Sequence, residues 1–338
     1  MKGVGNNAAE HLIAERKENG PFKNLFDFLK RVDLRTINKR TVEALILGGA
    51  FDNFPNQHRA VYFHQEPGEQ TLFLEKAMRY AAQVKANMNS AQMSLFGDTS
   101  EVDMPEPPLP EADPWTSMEA LRREKEINGI YISGHPLDDF REEFKNFINT
   151  KISILNNAEE LENRFGREMT VAGIVSQARH LESRDGRPFG KFILEDFSDS
   201  YEFSLFGEEY LKHKMYLQNG LMLMVKLKLE KRVFENNGNK FEKIRTHYIS
   251  FMLLQDALTD LTKRMEISLH VDSLNESSYE EILGILEAHT GKKPVNIHVR
   301  DDEYQVTLAP KTKSIEVSKQ LIKELQALDF VKYRLIMN

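Results

Sequence analysis

Lys2-Gly3-Val4-Gly5 stands directly before a helix-forming run, Ala8 to Arg16. Glycines allow a tight turn there, so the first amides of the helix, near Asn6, Asn7 and Ala8, can point at an anion such as a phosphate oxygen. The helix dipole strengthens that hold. A second copy runs from Leu34 to Ile46, with Thr36-Ile37-Asn38 where the first has Gly3-Val4-Gly5. Asn tolerates the left-handed backbone and Thr does so poorly, so the second turn is expected to be degenerate. Residues 30–40 hold five cations (Lys30, Arg31, Arg35, Lys39, Arg40) against Asp33. Glycines before a helix can also be a plain turn with basic residues coating it. Two copies, the second heavily basic, favour the phosphate reading.

Together the copies have the sequence form of a tandem helix-hairpin-helix, which grips duplex DNA. Phosphate carries no base identity, so the grip would ignore sequence. The residues expected to carry it are Lys2, Gly3, Gly5, Asn6, Asn7, Arg35, Asn38, Lys39 and Arg40.

Gln92-Met93-Ser94-Leu95-Phe96 lies in a segment otherwise unable to bury anything. Apolar side chains there gain nothing unless a partner supplies a pocket, as in short linear motifs. Leu95 and Phe96 would fill a hydrophobic cleft, Met93 would lie beside them, and Gln92 would make orienting hydrogen bonds. The alternative is that Leu95 and Phe96 fold back on the chain's own helices.

A third group of cations falls in a strand-rich region: Arg179, Arg184, Arg187 and Lys191, with Phe192, then Lys226, Lys228, Lys231 and Arg232. Cations along a groove with aromatics beside them would suit a single nucleic-acid strand. The same residues could equally be the solvent face of a barrel, with Phe189 and Phe192 in its core. Catalytic and metal roles are not expected. Asp138-Asp139 follows Pro136-Leu137 at a helix start, Asp301-Asp302 lies in a tight hairpin, and His135 sits between Gly134 and Pro136 as a packed loop residue.

The elements that must position these residues read as follows. Helices are expected over 8–16, 24–31, 39–47 and 58–88, the last interrupted at Pro67-Gly68, and again over 116–128 and 138–149. Between them, five prolines among acidic residues mark an exposed linker. From about residue 168 the period becomes that of strands, five of them with a helix between the third and fourth, the order of an OB-fold barrel. The remainder reads as βαββαβ, the ferredoxin-like split motif. The fold class is therefore multidomain α+β. Its parts are a helical domain with tandem hairpins (1–88), the linker with the apolar peptide (89–114), a helical connector (115–165), the barrel (166–256) and the βαββαβ domain (262–338).

The net charge of −7 over 338 residues argues against wholesale coating by nucleic acid, though local basic surfaces decide binding. Hydrophobic residues make up 41%, enough for real cores, and no uninterrupted apolar stretch approaches a membrane span. The start has no signal-peptide pattern, and the absence of cysteine excludes disulfides and thiolate metal sites and fits the cytoplasm.

Several runs resemble one family. They are Ile13-Ala14-Glu15-Arg16 with Asn19-Gly20-Pro21-Phe22-Lys23, Asn38-Lys39-Arg40 with Glu43-Ala44-Leu45-Ile46, and Gly49-Ala50-Phe51-Asp52. Tyr131-Ile132-Ser133-Gly134-His135-Pro136-Leu137, Val171 to Val175 and Leu194-Glu195-Asp196 continue the series. In this order they resemble the C-terminal region of the bacterial DNA polymerase III alpha subunit, a replicative family C DNA polymerase. The resemblance weakens after about residue 255. It implies duplex DNA gripped by residues 1–55, docking of Gln92–Phe96 on the sliding clamp (beta subunit), single-stranded template near the barrel, and contact of the last domain with the clamp-loader tau subunit. It also implies that the palm carboxylates and their Mg²⁺ lie N-terminal to this segment, that Met1 is an artificial or truncated start, and that the segment alone does not polymerise. A free-standing single-strand or clamp-associated accessory protein is the alternative.

Overall fold

The computed structural model describes residues 1–55, 57–93, 105–236, 239–309 and 314–337. They form two compact units, Met1–Pro136 and Leu137–Asn338. The boundary falls inside the stretch that the sequence sets apart as a helical connector. No helix among the described residues is long and apolar enough to cross a membrane.

The first unit is helical: α1 (Asn6–Asn19), α2 (Leu25–Arg31), α3 (Lys39–Leu47), α4 (Arg59–Tyr62), α5 (Phe73–Met93) and α6 (Ser117–Asn128). Local chemistry fixes the ends. The Asn24 side chain accepts from the Asp27 amide at the start of α2, and Asn38 accepts from the Thr41 amide at the start of α3. Leu25, Phe28, Leu29, Ile37, Val42 and Ile46 are fully buried, so α2 and α3 share one core. The Pro67-Gly68 interruption separates α4 from α5.

The described part of the linker, residues 105–114, is mostly exposed but is fastened rather than loose. Glu106 pairs with Lys30 at 2.6 Å, and the His58 ring contacts the Ala112 carbonyl at 2.9 Å. Just beyond it, Trp115 lies against Phe63 with Arg123 over its ring. Proline-rich composition signals the lack of helix or strand, not the lack of partners.

The second unit opens with three short helices, α7 (Arg141–Phe147), α8 (Ile152–Asn156) and α9 (Ala158–Glu162). Strands β1 (Glu168–Glu182), β2 (Pro188–Glu195), β3 (Ser200–Phe206), β4 (Met222–Asn236) and β5 (Asn239–Leu253) follow, with α10 (Gly207–His213) between β3 and β4. The sheet order β3-β2-β1-β4-β5, with that inserted helix, fits the OB-type order expected from the sequence. The long β1 pairs with both β2 and β4, and a bulge at Val175/Gln177 bends it between them. Close to the bend, a Cβ on Gly173 would overlap the Glu195 carbonyl, so only glycine fits. The two outer strands meet through the Tyr248 hydroxyl, which donates to the Ser204 carbonyl at 2.9 Å.

The rest comprises α11 (Ala257–Leu261), β6 (Thr262–His270), α12 (Glu276–Ala288), β7 (Thr290–Arg300), β8 (Gln305–Leu308), β9 (Ser314–Ile315), α13 (Lys319–Gln326) and β10 (Val331–Met337). The expected element order is present, but the ferredoxin-like strand order is not. In that motif the third strand lies beside the first, whereas here β7 pairs parallel with β6 and the sheet runs β10-β6-β7-β8. β8 is the edge strand of that order, and every one of its residues is exposed. Ile297 and Val299 of β7 instead sit in register with the buried Ile267 and Leu269.

Candidate nucleic-acid interface

The two hairpin loops meet. Gly3, Gly5, Asn7, Thr36, Asn38 and Arg40 line one open concavity of about 720 Å³. Gly3 has φ +87°, and a Cβ there would stand 3.2 Å from the Ala44 Cβ and strain the turn. The Thr41 hydroxyl donates to the Gly3 carbonyl at 3.2 Å, tying the first loop to the start of α3. Gly5 is the N-cap of α1 and offers no side-chain acceptor, so the helix begins with amides that no cap satisfies. Nothing lies within 4 Å of a Cβ built on Gly5, so this end of α1 is open to an incoming group.

The second loop is built differently from the sequence expectation. Asn38 is extended, at φ −77° and ψ 173°, and serves as a cap rather than as a left-handed turn residue. Asp33 shapes the turn: its carboxylate accepts from the Arg35 amide and the Thr36 hydroxyl, and its carbonyl accepts from the Ile37 amide at 2.8 Å. No glycine is needed, because an Asp side chain can close such a turn.

The cations of residues 30–40 divide into two sets. Lys30 pairs with Glu106, Arg31 with Glu15 and Asp27, and Lys39 with Glu43 and Glu75. The Lys39 ammonium holds the Glu75 carboxyl below its ordinary value. Lys2, Arg35 and Arg40 are exposed and have no carboxylate partner among the described residues. The exposed Asn6 sits beside the concavity, at the first turn of α1.

In the apolar peptide, Gln92 and Met93 end α5; Ser94, Leu95 and Phe96 lie outside the described residues.

On the barrel, most of the expected cations are already neutralised. Arg179 and Lys191 both reach Glu202, at 2.8 and 2.6 Å, and Lys191 first, then Arg179, holds that carboxyl below its ordinary value. Lys226 pairs with Glu168, Lys228 with Glu230 and Lys231 with Glu162. Arg184 and Arg187 are exposed in the β1–β2 turn. The Arg232 side chain lies outside the described residues.

Phe192 is not available for stacking. It is 1% exposed, stacked on Phe203 inside the barrel, because it alternates with Lys191 and so faces the opposite side. The aromatic that sequence reasoning missed is Phe206, 60% exposed, stacked on Phe189 at 5.4 Å between centroids. Register pairs Leu181 with Phe189 and Phe189 with Phe206, giving an apolar row beside the Arg179–Lys191 pair. The two-residue repeat from Lys191 back to Phe189 was the available signal.

Of the carboxylates set aside from catalysis, Asp138 pairs with Arg141 at 2.5 Å, and Asp301 accepts from the Glu303 and Tyr304 amides to close the β7–β8 hairpin. His135 lies edge-on to Tyr131.

Residues 1–61 match a family model described as a helix-hairpin-helix motif, and residues 265–336 match one described as the DNA polymerase III alpha subunit, C-terminal domain. The DNA polymerase III subunit alpha of Pseudomonas aeruginosa is 30% identical over 312 residues, covering 88% of this chain and 25% of that protein. Its counterpart in Pseudomonas fluorescens is 29% identical, covering 96% of this chain and 27% of that protein. The chain belongs to the DNA polymerase III alpha subunit family, in its C-terminal region. It spans about a quarter of the length of these relatives. The match over 265–336 carries the family likeness through the stretch where the sequence resemblance weakens. Among solved structures, a mitochondrial single-stranded DNA binding protein of S. cerevisiae, Rim1, aligns at 20% identity over 26% of this chain and 91% of its own. Its TM-score of 0.19 is too low for any structural inference.

Proposed function

We propose that this chain is the non-catalytic, DNA-gripping part of a replicative DNA polymerase, with polymerisation carried by the portion of the relatives outside the matched quarter. The observation that carries the reading is the meeting of the two hairpin loops at one concavity. There the uncapped amides of α1 and the unpaired Arg40 face a single open surface. An anion seated there would take backbone hydrogen bonds and the positive end of the helix dipole, with Lys2 and Arg35 flanking it. Contacts of this kind hold a duplex by its phosphates and leave the base sequence unread.

The barrel takes the second role, a single-stranded template. Its row of exposed Leu181 and Phe206 with the half-buried Phe189 between them supplies the faces on which bases stack, and Arg184 and Arg187 supply charge at one end. Gln92–Phe96 is the clamp-docking peptide, and residues 262–338 meet the clamp-loader tau subunit.

A salt-titrated duplex-binding assay tests the hairpin role. Arg35→Ala with Arg40→Ala should weaken binding about tenfold and cut the log–log salt slope by about 2, uniformly across DNA sequences. An unchanged slope would remove the hairpins from the interface. For the peptide, Leu95→Ala with Phe96→Ala should abolish capture by the sliding clamp in a pull-down; undiminished capture would remove the docking role.

A further inference from the structure

A second basic surface lies in the unit Leu137–Asn338, built from elements that neither the hairpins nor the barrel face uses. Arg141, Phe144 and Lys145 stand at i, i+3 and i+4 on α7 and therefore share a helix face. Lys151 precedes α8 and Arg164 follows α9. With Phe197 these five line a groove of about 780 Å³.

The loop that supplies Phe197 is fixed by one buried carboxylate. Asp196, 6% exposed, accepts from the Ile152 amide at 2.9 Å through one oxygen. Its other oxygen accepts from the Ser198 amide and hydroxyl and from the Asp199 amide. The Ser198 hydroxyl in turn accepts from the Ser153 amide at 3.1 Å. So tied, the loop leaves Phe197 42% exposed, edge-on to Phe144 at 5.0 Å, with Arg141 over its ring at 5.1 Å.

The charges here differ from those on the barrel strands. Lys145, Lys151 and Arg164 have no carboxylate partner among the described residues. Glu160 is the one acidic residue lining the groove, and it accepts from the Asn157 side chain. Three unneutralised cations around two aromatic rings, in a chain of net charge −7, are matched to a polyanion that also offers flat faces. A duplex hides its bases in the stack, and a peptide of Asp and Glu has no aromatic face to stack on Phe197.

We propose that this groove binds single-stranded DNA, with Lys145, Lys151 and Arg164 on the phosphates and Phe197 against a base. The proposal rests on the DNA-binding reading above but shares no lining residue with the hairpin concavity or with the Leu181–Phe189–Phe206 row.

The test is fluorescence anisotropy of the whole chain with a labelled oligothymidylate of about 16 nucleotides, across a salt series. Lys145→Ala, Lys151→Ala and Arg164→Ala together should weaken binding at least tenfold and reduce the salt slope by about 2, at roughly 0.7 per phosphate. Phe197→Ala alone should weaken it about tenfold with the slope unchanged. Both variants should bind duplex as the parent chain does, since the hairpins lie in the other unit, and an unchanged urea-unfolding midpoint and circular-dichroism spectrum certify the folding of the substituted unit. Parental affinity and slope in the triple variant would overturn the proposal. So would a silent Phe197→Ala combined with displacement of the strand by a poly-glutamate peptide of equal charge, since the groove would then be an acidic-peptide site. Loss of duplex and single-strand binding alike in the parent chain would instead overturn the underlying DNA-binding reading.

Discussion

Glu124 in the first unit and Glu143 in the second are both 0% exposed, and they differ in what meets them. Glu124 accepts from the Ile132 and Ser133 amides, the Ser133 hydroxyl and the Arg59 guanidinium, at 2.5 to 2.8 Å. Neither oxygen of Glu143 has a hydrogen-bond partner among the described residues; the Lys319 ammonium stops at 3.7 Å, over the Phe140 ring. For both, burial is the largest single influence and pushes the carboxyl up. Four donors overturn it at Glu124, whose carboxyl ends below its ordinary value, while at Glu143 burial prevails and the carboxyl stays above. Equal exposure therefore goes with opposite titration: Glu124 is ringed by donors, while Glu143 lacks them and is packed more deeply.

The largest effect expected is at Glu124. Glu124→Ala leaves the buried Arg59 with Asp52 as its one carboxylate, beside the Leu47 carbonyl, and releases the Ile132-Ser133 segment; breaking a buried pair of this kind costs about 3–5 kcal/mol. Urea unfolding should show it as a lower midpoint. Next is Glu143→Leu, which removes two unpartnered oxygens at similar volume while Lys319 keeps its exposure. It should raise stability at neutral pH by about 1–3 kcal/mol. A lower midpoint would mean that the Lys319 contact outweighs the burial of Glu143.

The pH dependences should run in opposite directions. Glu124 binds its proton less readily in the folded chain than in the unfolded one. Its stabilisation is complete above the ordinary carboxylate value and is lost as pH falls through the lower folded value. Glu143 binds its proton more readily when folded. Its contribution is most favourable below the ordinary value and declines as pH rises through the higher folded one. Midpoints measured from acid to neutral pH should therefore show a shallower acid-side decline in Glu124→Ala, the remainder coming from other lowered carboxylates such as Glu119 and Glu75, and a smaller penalty on rising pH in Glu143→Leu. Identical profiles for the two variants would break the comparison.

Neither carboxylate announces itself in the sequence, and the reason is general. Composition and period report what a residue prefers, while these states depend on groups brought from far along the chain, Arg59 to Glu124 and Lys319 to Glu143. Local features were legible. Leu25, Phe26, Phe28 and Leu29 give α2 its buried face, Asn24 and Asn38 open their helices, and alternation with one inserted helix gives the barrel order. The last sheet was legible as elements but not as an order, because βαββαβ leaves open which strand lies beside β6; the exposed Gln305-Val306-Thr307-Leu308 forms the edge strand β8. At the candidate site the glycine hairpin was legible and the Asp33 turn was not. Lys191 and Phe192 could not share a face, since neighbours on a strand point to opposite sides. Charge counts misled most, because they count cations without their partners.

That last point yields the smallest and most specific expectation, and it carries the comparison from buried to exposed carboxylates. Glu202 stands between Arg179 and Lys191, half exposed, and neutralises both beside the Leu181–Phe189–Phe206 row. If partners decide what a charge can do, Glu202→Gln should free two cations for a phosphate without adding any. Single-strand affinity should rise about threefold, and the salt slope should steepen by about 1, at roughly 0.7 per phosphate engaged. Lys226→Ala, which removes a cation paired to Glu168 away from that row, should leave both quantities unchanged. An anisotropy titration of the two variants separates the cases. Equal behaviour would mean that the row with its paired cations is only the solvent face of the barrel, whereas a gain confined to Glu202→Gln places the strand across Arg179 and Lys191.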